Sequence, residues 1–278
     1  MLRAGVVLLA AALPAAAQTQ APIVARLTSS ALGEVREFTV RLPASYARER
    51  QRRYPVAYVL DGAPLDAQTF AGATQLAASG EAPELIVVGI PNMHRDGRAR
   101  DFLPPFLSFA RRDGTPFTGG ADRFLRFLRE ELAPRIERDY RAARPRLLVG
   151  HSLGAIFVCY SLMTAPAFFD ARFAHSPAIW RDEDVVAGEL ARWLSAARRL
   201  DSFFYLSVGA KESGGLGHGY DKVKAVLSAH AAAAGLRWQA AVTPDAVHET
   251  NVALATTPGL RAWAARLPDP RPRQRPQR

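Results

Sequence analysis

Apolar residues fall along the chain in two kinds of pattern. Continuous runs bounded by turn residues occur at 55–60, 85–90 and, more briefly, 146–149, and such runs predict strands buried on both faces, as in a parallel sheet covered by helices. Val35 to Leu42 alternates as an early strand does, after an extended stretch at 23–28, and Ser202 to Val208 and Leu236 to Val242 predict two more. Between them lie helical periods. Phe124, Leu128, Leu132 and Ile136 recur every fourth position and form one stripe over 121–138, with Asp122 as a cap and Pro134 expected to kink or split the helix. Val185 to Leu200 and Tyr220 to Ala234 predict further helices. Strands alternating with helices at this spacing predict an α/β fold with a mainly parallel sheet, and residues 18–267 read as one domain. Pro91 to Gly120 breaks the rhythm, with four prolines, four glycines and no sustained period. It follows a strand, which places it where ligands bind in such sheets, and it reads as a substrate loop.

The two ends differ from this middle. Met1-Leu2-Arg3, the apolar stretch Ala4 to Ala12, Pro14 and then Ala15-Ala16-Ala17 before Gln18 have the make-up of a cleaved export signal, 1–17. A retained anchor is the alternative, although no apolar run reaches the roughly 18 residues that a spanning helix needs. The expected location is therefore periplasmic or secreted, with no integral membrane segment after cleavage. The single cysteine, Cys159, lies in an apolar stretch as a small hydrophobe and excludes an internal disulfide framework or a thiolate metal cluster. Residues 268–278 hold four prolines and no apolar residue, the composition of a disordered tail.

Of 36 basic residues only Lys211, Lys222 and Lys224 are lysines, and the net charge is +10. The tail and Arg3 together account for four of those charges, and Arg123, Arg126 and Arg129 lie on the polar face of a helical stripe. No nucleic-acid-binding module is present to gather the rest on one face, so no nucleic-acid partner is expected.

Gly150-His-Ser-Leu-Gly154 carries the chemistry. It follows an apolar strand and precedes an apolar helix, the setting in which G-x-S-x-G lifts a serine above the sheet on a sharp turn. The helix behind it directs free N–H groups toward the reacting oxygen. A serine nucleophile needs a base, and the base needs a carboxylate to orient it. In this arrangement the acid and then the histidine follow the serine along the chain. Ser152 is thus the expected nucleophile. His248, just beyond a predicted strand, is the expected base, with His218 in its glycine-rich run as runner-up. Glu212 follows the preceding strand and is the expected acid, with Asp245 second. The oxyanion donors are expected to be the N–H of Leu153 and that of Ala63, or alternatively Gly62, after Asp61-Gly62. The serine route requires no metal and no cofactor.

Taken together, the stretches 58–62, 86–90 and 150–154, Val208 to Glu212 and the loop holding His248 resemble the putative-esterase family. That group of α/β-hydrolases includes esterase D, enterochelin (siderophore) esterases, feruloyl esterases and bacterial mycolyltransferases. The resemblance spans nearly the whole proposed domain. It implies an α/β-hydrolase fold, a second oxyanion amide from the residue after Asp-Gly (here Ala63), and a glutamate as an acceptable triad acid (here Glu212). The stretch 98–104 looks like the family's loop after the fourth strand.

The expected activity is that of an exported serine carboxylic-ester hydrolase working through an acyl-enzyme on a small-molecule ester, siderophore-like or aromatic. Alternatives are an acyltransferase of the mycolyltransferase type and a non-catalytic binding protein on the same scaffold. Arg95, Arg98 and Arg100 in the long loop are candidates for holding an anionic substrate. Phe102, Leu103, Phe106, Leu107 and Phe109 either line a pocket or pack the loop down. Sequence carries no signal for oligomeric state.

Overall fold

The computed structural model describes residues 21–267 apart from 93–94, 111–113, 180–183 and 198. The expected export signal and the expected C-terminal tail lie outside the described residues.

Eight strands form one sheet: β1 (Ile23–Ser29), β2 (Glu34–Arg41), β3 (Tyr54–Leu60), β4 (Ile86–Ile90), β7 (Ala142–His151), β8 (Ala171–His175), β9 (Phe203–Gly209) and β10 (Arg237–Thr243). Their spatial order is β1-β2-β4-β3-β7-β8-β9-β10. β1 pairs with β2, and β2 with β4, in antiparallel register, while every later neighbour is parallel. The continuous apolar runs are explained by the two faces of this sheet. Val56, Tyr58 and Leu60 face one core with Phe204 and Leu206, and Ala57 and Val59 face the other with Phe203 and Tyr205. Helices α1 (Leu65–Ala78) and α8 (His248–Ala264) cover the second face. The first is covered by α5 (Leu153–Thr164), α6 (Val185–Ala196) and α7 (Gly215–Ala234), together with a rod over 121–139. Each large apolar side chain so buried contributes about 1.5–3 kcal/mol of transfer free energy.

That rod runs as α3 (Ala121–Arg126), π turns over Phe127–Leu132 and α4 (Ala133–Asp139). Pro134 neither stops nor splits it. Proline lacks an N–H for the carbonyl four residues back, that of Glu130, and Glu130 lies in the widened turn, where bonding runs one residue further.

Three stretches differ from the sequence expectation for a clear physical cause, and α1 is a helix the sequence reading did not mark. β8 was hidden because Arg172 interrupts its apolar run. The side chain is nonetheless fully buried. Its guanidinium donates to the Phe169, Ser161 and Ala165 carbonyls at 2.9, 3.2 and 2.7 Å, and desolvation pushes its pKa down to about 9. The glycine-rich run before Tyr220 is the first turn of α7 rather than a loop. Finally, 91–120 is structured, with α2 (Arg95–Phe102) and a hairpin of β5 (Ser108–Ala110) and β6 (Pro116–Thr118). α2 has almost no apolar stripe to give it away, because ion pairs hold it instead.

The central ion pair joins Arg36 of β2 to Asp101 of α2 at 2.5 Å, with side chains 1% and 2% exposed. Arg36 also reaches Glu34 at 3.0 Å and lies over the Phe124 ring at 5.5 Å, and Arg100 bridges Asp101 and Glu34 at 2.7 Å each. A buried cation stripped of its carboxylate is costly. Asp101→Ala is expected to lower the unfolding free energy by about 3 kcal/mol in urea titration, whereas adding Arg36→Met to it should recover part of that loss rather than double it.

Candidate active site

The functional candidates converge at the carboxyl ends of the parallel strands, where this kind of sheet presents its ligands. Ser152 follows β7 and caps α5 with φ 59° and ψ −114°, a strained left-handed conformation for a non-glycine residue. The strain is supported from both sides. The Ser152 N–H donates to the His175 carbonyl at 3.0 Å, and its own carbonyl accepts from the Ala155 N–H at 3.1 Å. Gly150 makes the turn possible, since a Cβ there would lie 2.4 Å from the Gly154 carbonyl oxygen. At Gly154 a Cβ would make only ordinary contacts, at 3.5 Å or more.

His248 opens α8, and its Nδ1–H donates to Glu212 Oε2 at 3.0 Å. The Glu212 side chain is 1% exposed. Its other oxygen accepts from the Gly209 N–H and the Ser176 hydroxyl, both at 2.7 Å. Burial opposes ionisation of Glu212, but the hydrogen bonds from His248, Ser176 and Gly209 outweigh it and hold the pKa below the usual glutamate value. Asp245 is far more exposed and pairs with Lys211 at 3.1 Å. His218 lies in the first turn of α7 and is bound to Asp184 at 2.8 Å. The geometry therefore joins Glu212, not Asp245, to His248. Among the hydrogen bonds of the described residues, the His248–Glu212 bond is present and a Ser152–His248 bond is not.

Ser152, His248 and Ala63 line one open cleft of about 390 Å³ with Asp61, Arg98 and His151. Ala63 follows Asp61 and Gly62, both at positive φ, and a Cβ on Gly62 would crowd Pro91 at 3.0 Å. Leu153 opens α5, so its N–H lies in the first turn, where no intrahelical carbonyl is available to it.

The loop arginines separate. Arg98 lines the cleft but is held by Asp61 at 2.7 Å and donates to the His151 carbonyl at 2.9 Å. Arg100, the third candidate for holding an anionic substrate, is engaged by Glu34 and Asp101, which already match its charge within the protein. The Arg95 side chain lies outside the described residues. Of the loop aromatics, Phe102 packs in the core and Phe106 is exposed.

Two histidines at the site went unassigned in the sequence. His151 stacks on His248 with ring centroids 4.3 Å apart, and its Nε2–H donates to the His248 carbonyl at 2.8 Å. Burial, with His248 and Arg98 nearby, pushes its pKa down to about 4. His175 is wholly enclosed, and desolvation takes its pKa to about 3. Around it Ser176, Ser207, Asn251 and Thr256 are also buried. Scattered single polar residues of this kind leave no motif. The one available signal was the position of Ser207, within a strand that the apolar pattern already marked.

The sheet order, with a nucleophile-type elbow after its central strand and a histidine–carboxylate pair beyond, is that of an α/β-hydrolase fold. A family model described as putative esterase matches residues 29–270, and the chain belongs to that family. Ferri-bacillibactin esterase BesA of Bacillus subtilis is 33% identical over 162 residues, covering 52% of this chain and 55% of that protein. A siderophore enterobactin esterase of Emericella nidulans is 33% identical over 143 residues, covering 46% and 47%. The chain spans about half the length of these curated relatives. Among solved structures, an IroE-like serine hydrolase from Shewanella oneidensis superposes with a TM-score of 0.76 at 28% identity, covering 88% of this chain and 80% of that one. The BES protein from Bacillus cereus gives 0.72 at 25% identity, covering 86% and 94%. No helix among the described residues is long and apolar enough to cross a membrane, and none of their side chains cluster as a metal site.

Two desolvated histidines, His175 buried and His151 partly so, make stability depend on pH. Their folded-state pKa values of about 4 and about 3 lie below the ordinary histidine value, so between these limits the unfolded chain binds more protons. Stability present at neutral pH is therefore lost as pH falls from about 6.5 toward 4, at a rate approaching roughly 3 kcal/mol per pH unit. Urea titrations at a series of pH values are expected to show this slope, and His175→Gln should about halve it.

Proposed function

We propose that the protein is an exported serine carboxylic-ester hydrolase that works through an acyl-enzyme on a siderophore-like or aromatic ester. The observation that carries this reading is the His248 Nδ1–Glu212 Oε2 bond beside the strained Ser152 elbow, with Ser152 and His248 lining one cleft. Ser152 Oγ attacks the ester carbonyl carbon while His248 Nε2 takes its proton, and Glu212 holds the imidazole in the Nδ1–H tautomer and stabilises its charged form. The N–H groups of Ala63 and Leu153 receive the developing oxyanion. The tetrahedral intermediate collapses, and the leaving alcohol takes the proton from His248. Water, activated by the same nitrogen, then releases the acid and restores the serine.

The siderophore and enterobactin esters named for the relatives support the substrate class, and an open cleft suits a bulky ester. Arg98 is the loop arginine best placed to meet an anionic substrate, with part of its charge taken by Asp61. Export rests on the first seventeen residues, and 18–267 then form the mature hydrolase domain.

Ser152→Ala is expected to abolish p-nitrophenyl ester turnover and fluorophosphonate labelling; unchanged turnover would remove Ser152 from its role. Glu212→Gln should leave a folded protein with kcat lowered by about 10²- to 10⁴-fold. A hydrolysis screen should place triscatecholate lactones or feruloyl esters above short-chain aliphatic esters. The mass of protein recovered outside the cytoplasm should correspond to a chain starting near Gln18, and an intact Met1 would overturn the cleaved signal.

A further inference from the structure

Behind the acid lies an uninterrupted set of buried and partly buried hydrogen bonds whose directions can be assigned one after another. Thr243 Oγ1 donates to Asn251 Oδ1 at 2.6 Å. With that oxygen facing Thr243, the Asn251 amide must turn its nitrogen the other way, and its two hydrogens go to Ser176 Oγ at 2.7 Å and Ser207 Oγ at 3.1 Å. A serine hydroxyl has a single proton. Accepting from Asn251, Ser176 is free to give its own to Glu212 Oε1 at 2.7 Å. Ser207 likewise gives its proton to His175 Nδ1 at 2.7 Å. That leaves His175 as the neutral Nε2–H tautomer, which meets Thr256 Oγ1 at 3.2 Å, and Thr256 donates onward to the Val252 carbonyl at 2.6 Å. Each proton is used once, and no donor faces a donor.

Asn251 is the branch point. It is fully buried, and it lies on α8 three residues after His248. Through Ser176 it reaches Glu212, which follows β9. Its other bonds go to β9 at Ser207 and to β10 at Thr243. One amide thus ties the helix bearing the base to the strand ends bearing the acid.

We infer that Asn251 is a positioning residue for the acid–base pair. By donating to Ser176 it makes Ser176 an obligate donor to Glu212 Oε1, which leaves Oε2 directed at His248. This inference rests on the serine-hydrolase reading above. Asn251 touches neither substrate nor reacting atoms; it acts through Ser176.

The test uses the full chain and p-nitrophenyl butyrate. Ser176→Ala is expected to lower kcat by about 10- to 100-fold with KM within about twofold, as the loss of one hydrogen bond to a charged group predicts. Asn251→Ala should do the same, and the double variant should be no slower than the slower single, because Asn251 works through Ser176. Asn251→Asp keeps the shape but offers Ser176 an acceptor, drawing its proton from Glu212, so kcat should fall at least as far. In the proton NMR spectrum the downfield Nδ1–H signal of His248 should shift or broaden in all three single variants. Thr256→Val, at the far end of the chain of bonds, should lower Tm and leave kcat unchanged.

Independent, multiplicative losses in the double variant, or an unchanged Nδ1–H signal, would overturn the inference. So would full kcat in folded Ser176→Ala and Asn251→Asp. If Asn251→Ala fails to fold, Ser176→Ala and Asn251→Asp decide the matter. An active Ser152→Ala sinks the hydrolase reading itself, whereas an inactive Ser152→Ala beside fully active Ser176→Ala sinks only the role of Asn251.

Discussion

The approach of β7 and α5 at Gly150 constrains the rest of the molecule. Any side chain there would run into the Gly154 backbone, so strand and helix can be joined by so short a turn only over a bare α-carbon. The short turn forces Ser152 into a left-handed conformation, and that conformation persists only because neighbouring backbone over-determines it. Its N–H is held by the end of β8, at His175. The next residue, Ser176, bonds to Glu212. A single strand end thus supports Ser152 through its backbone and Glu212 through a side chain.

A few charges in this protein are used inside the fold, where Arg36, Asp66, Asp101 and Arg172 are buried. Arg36, Arg98, Arg100 and Arg172 each join separate elements: β2 to α2, α2 to the end of β7, and β8 to the end of α5. The planar guanidinium suits this work because it offers several fixed donors to carbonyls and carboxylates at once. Lysine, with a compact and strongly hydrated charge, would do it less well. The arginine excess that stands out in the composition is thereby partly accounted for within the fold.

The insertion between β4 and the 121–139 rod shows where local pattern loses its power. A helix held by ion pairs has no stripe, so α2 was invisible to periodicity, and the three-residue strands β5 and β6 pair only with each other. The same held for β8, whose buried arginine reads as a surface residue until its carbonyl partners are in place. Where burial was continuous and apolar, as in β3, β4 and β9, the strands could be read directly, because each run had to supply two cores at once.

By itself the sequence determined the sheet-and-helix alternation, the elbow at Ser152 and the order in which the candidate serine, carboxylate and histidine follow one another. All three are written in contiguous residues: apolar runs, a glycine-flanked serine, carboxylate and histidine after successive strands. Which carboxylate meets His248 was decided only by tertiary structure. So was the burial of Ser176, Ser207, Asn251 and His175 behind it, and so was the matching of Arg100 by Glu34 and Asp101. A hydrogen bond between residues 36 or 75 positions apart depends on where strand ends come to rest. Nothing local in the chain records that distance, and only the packing of the sheet supplies it.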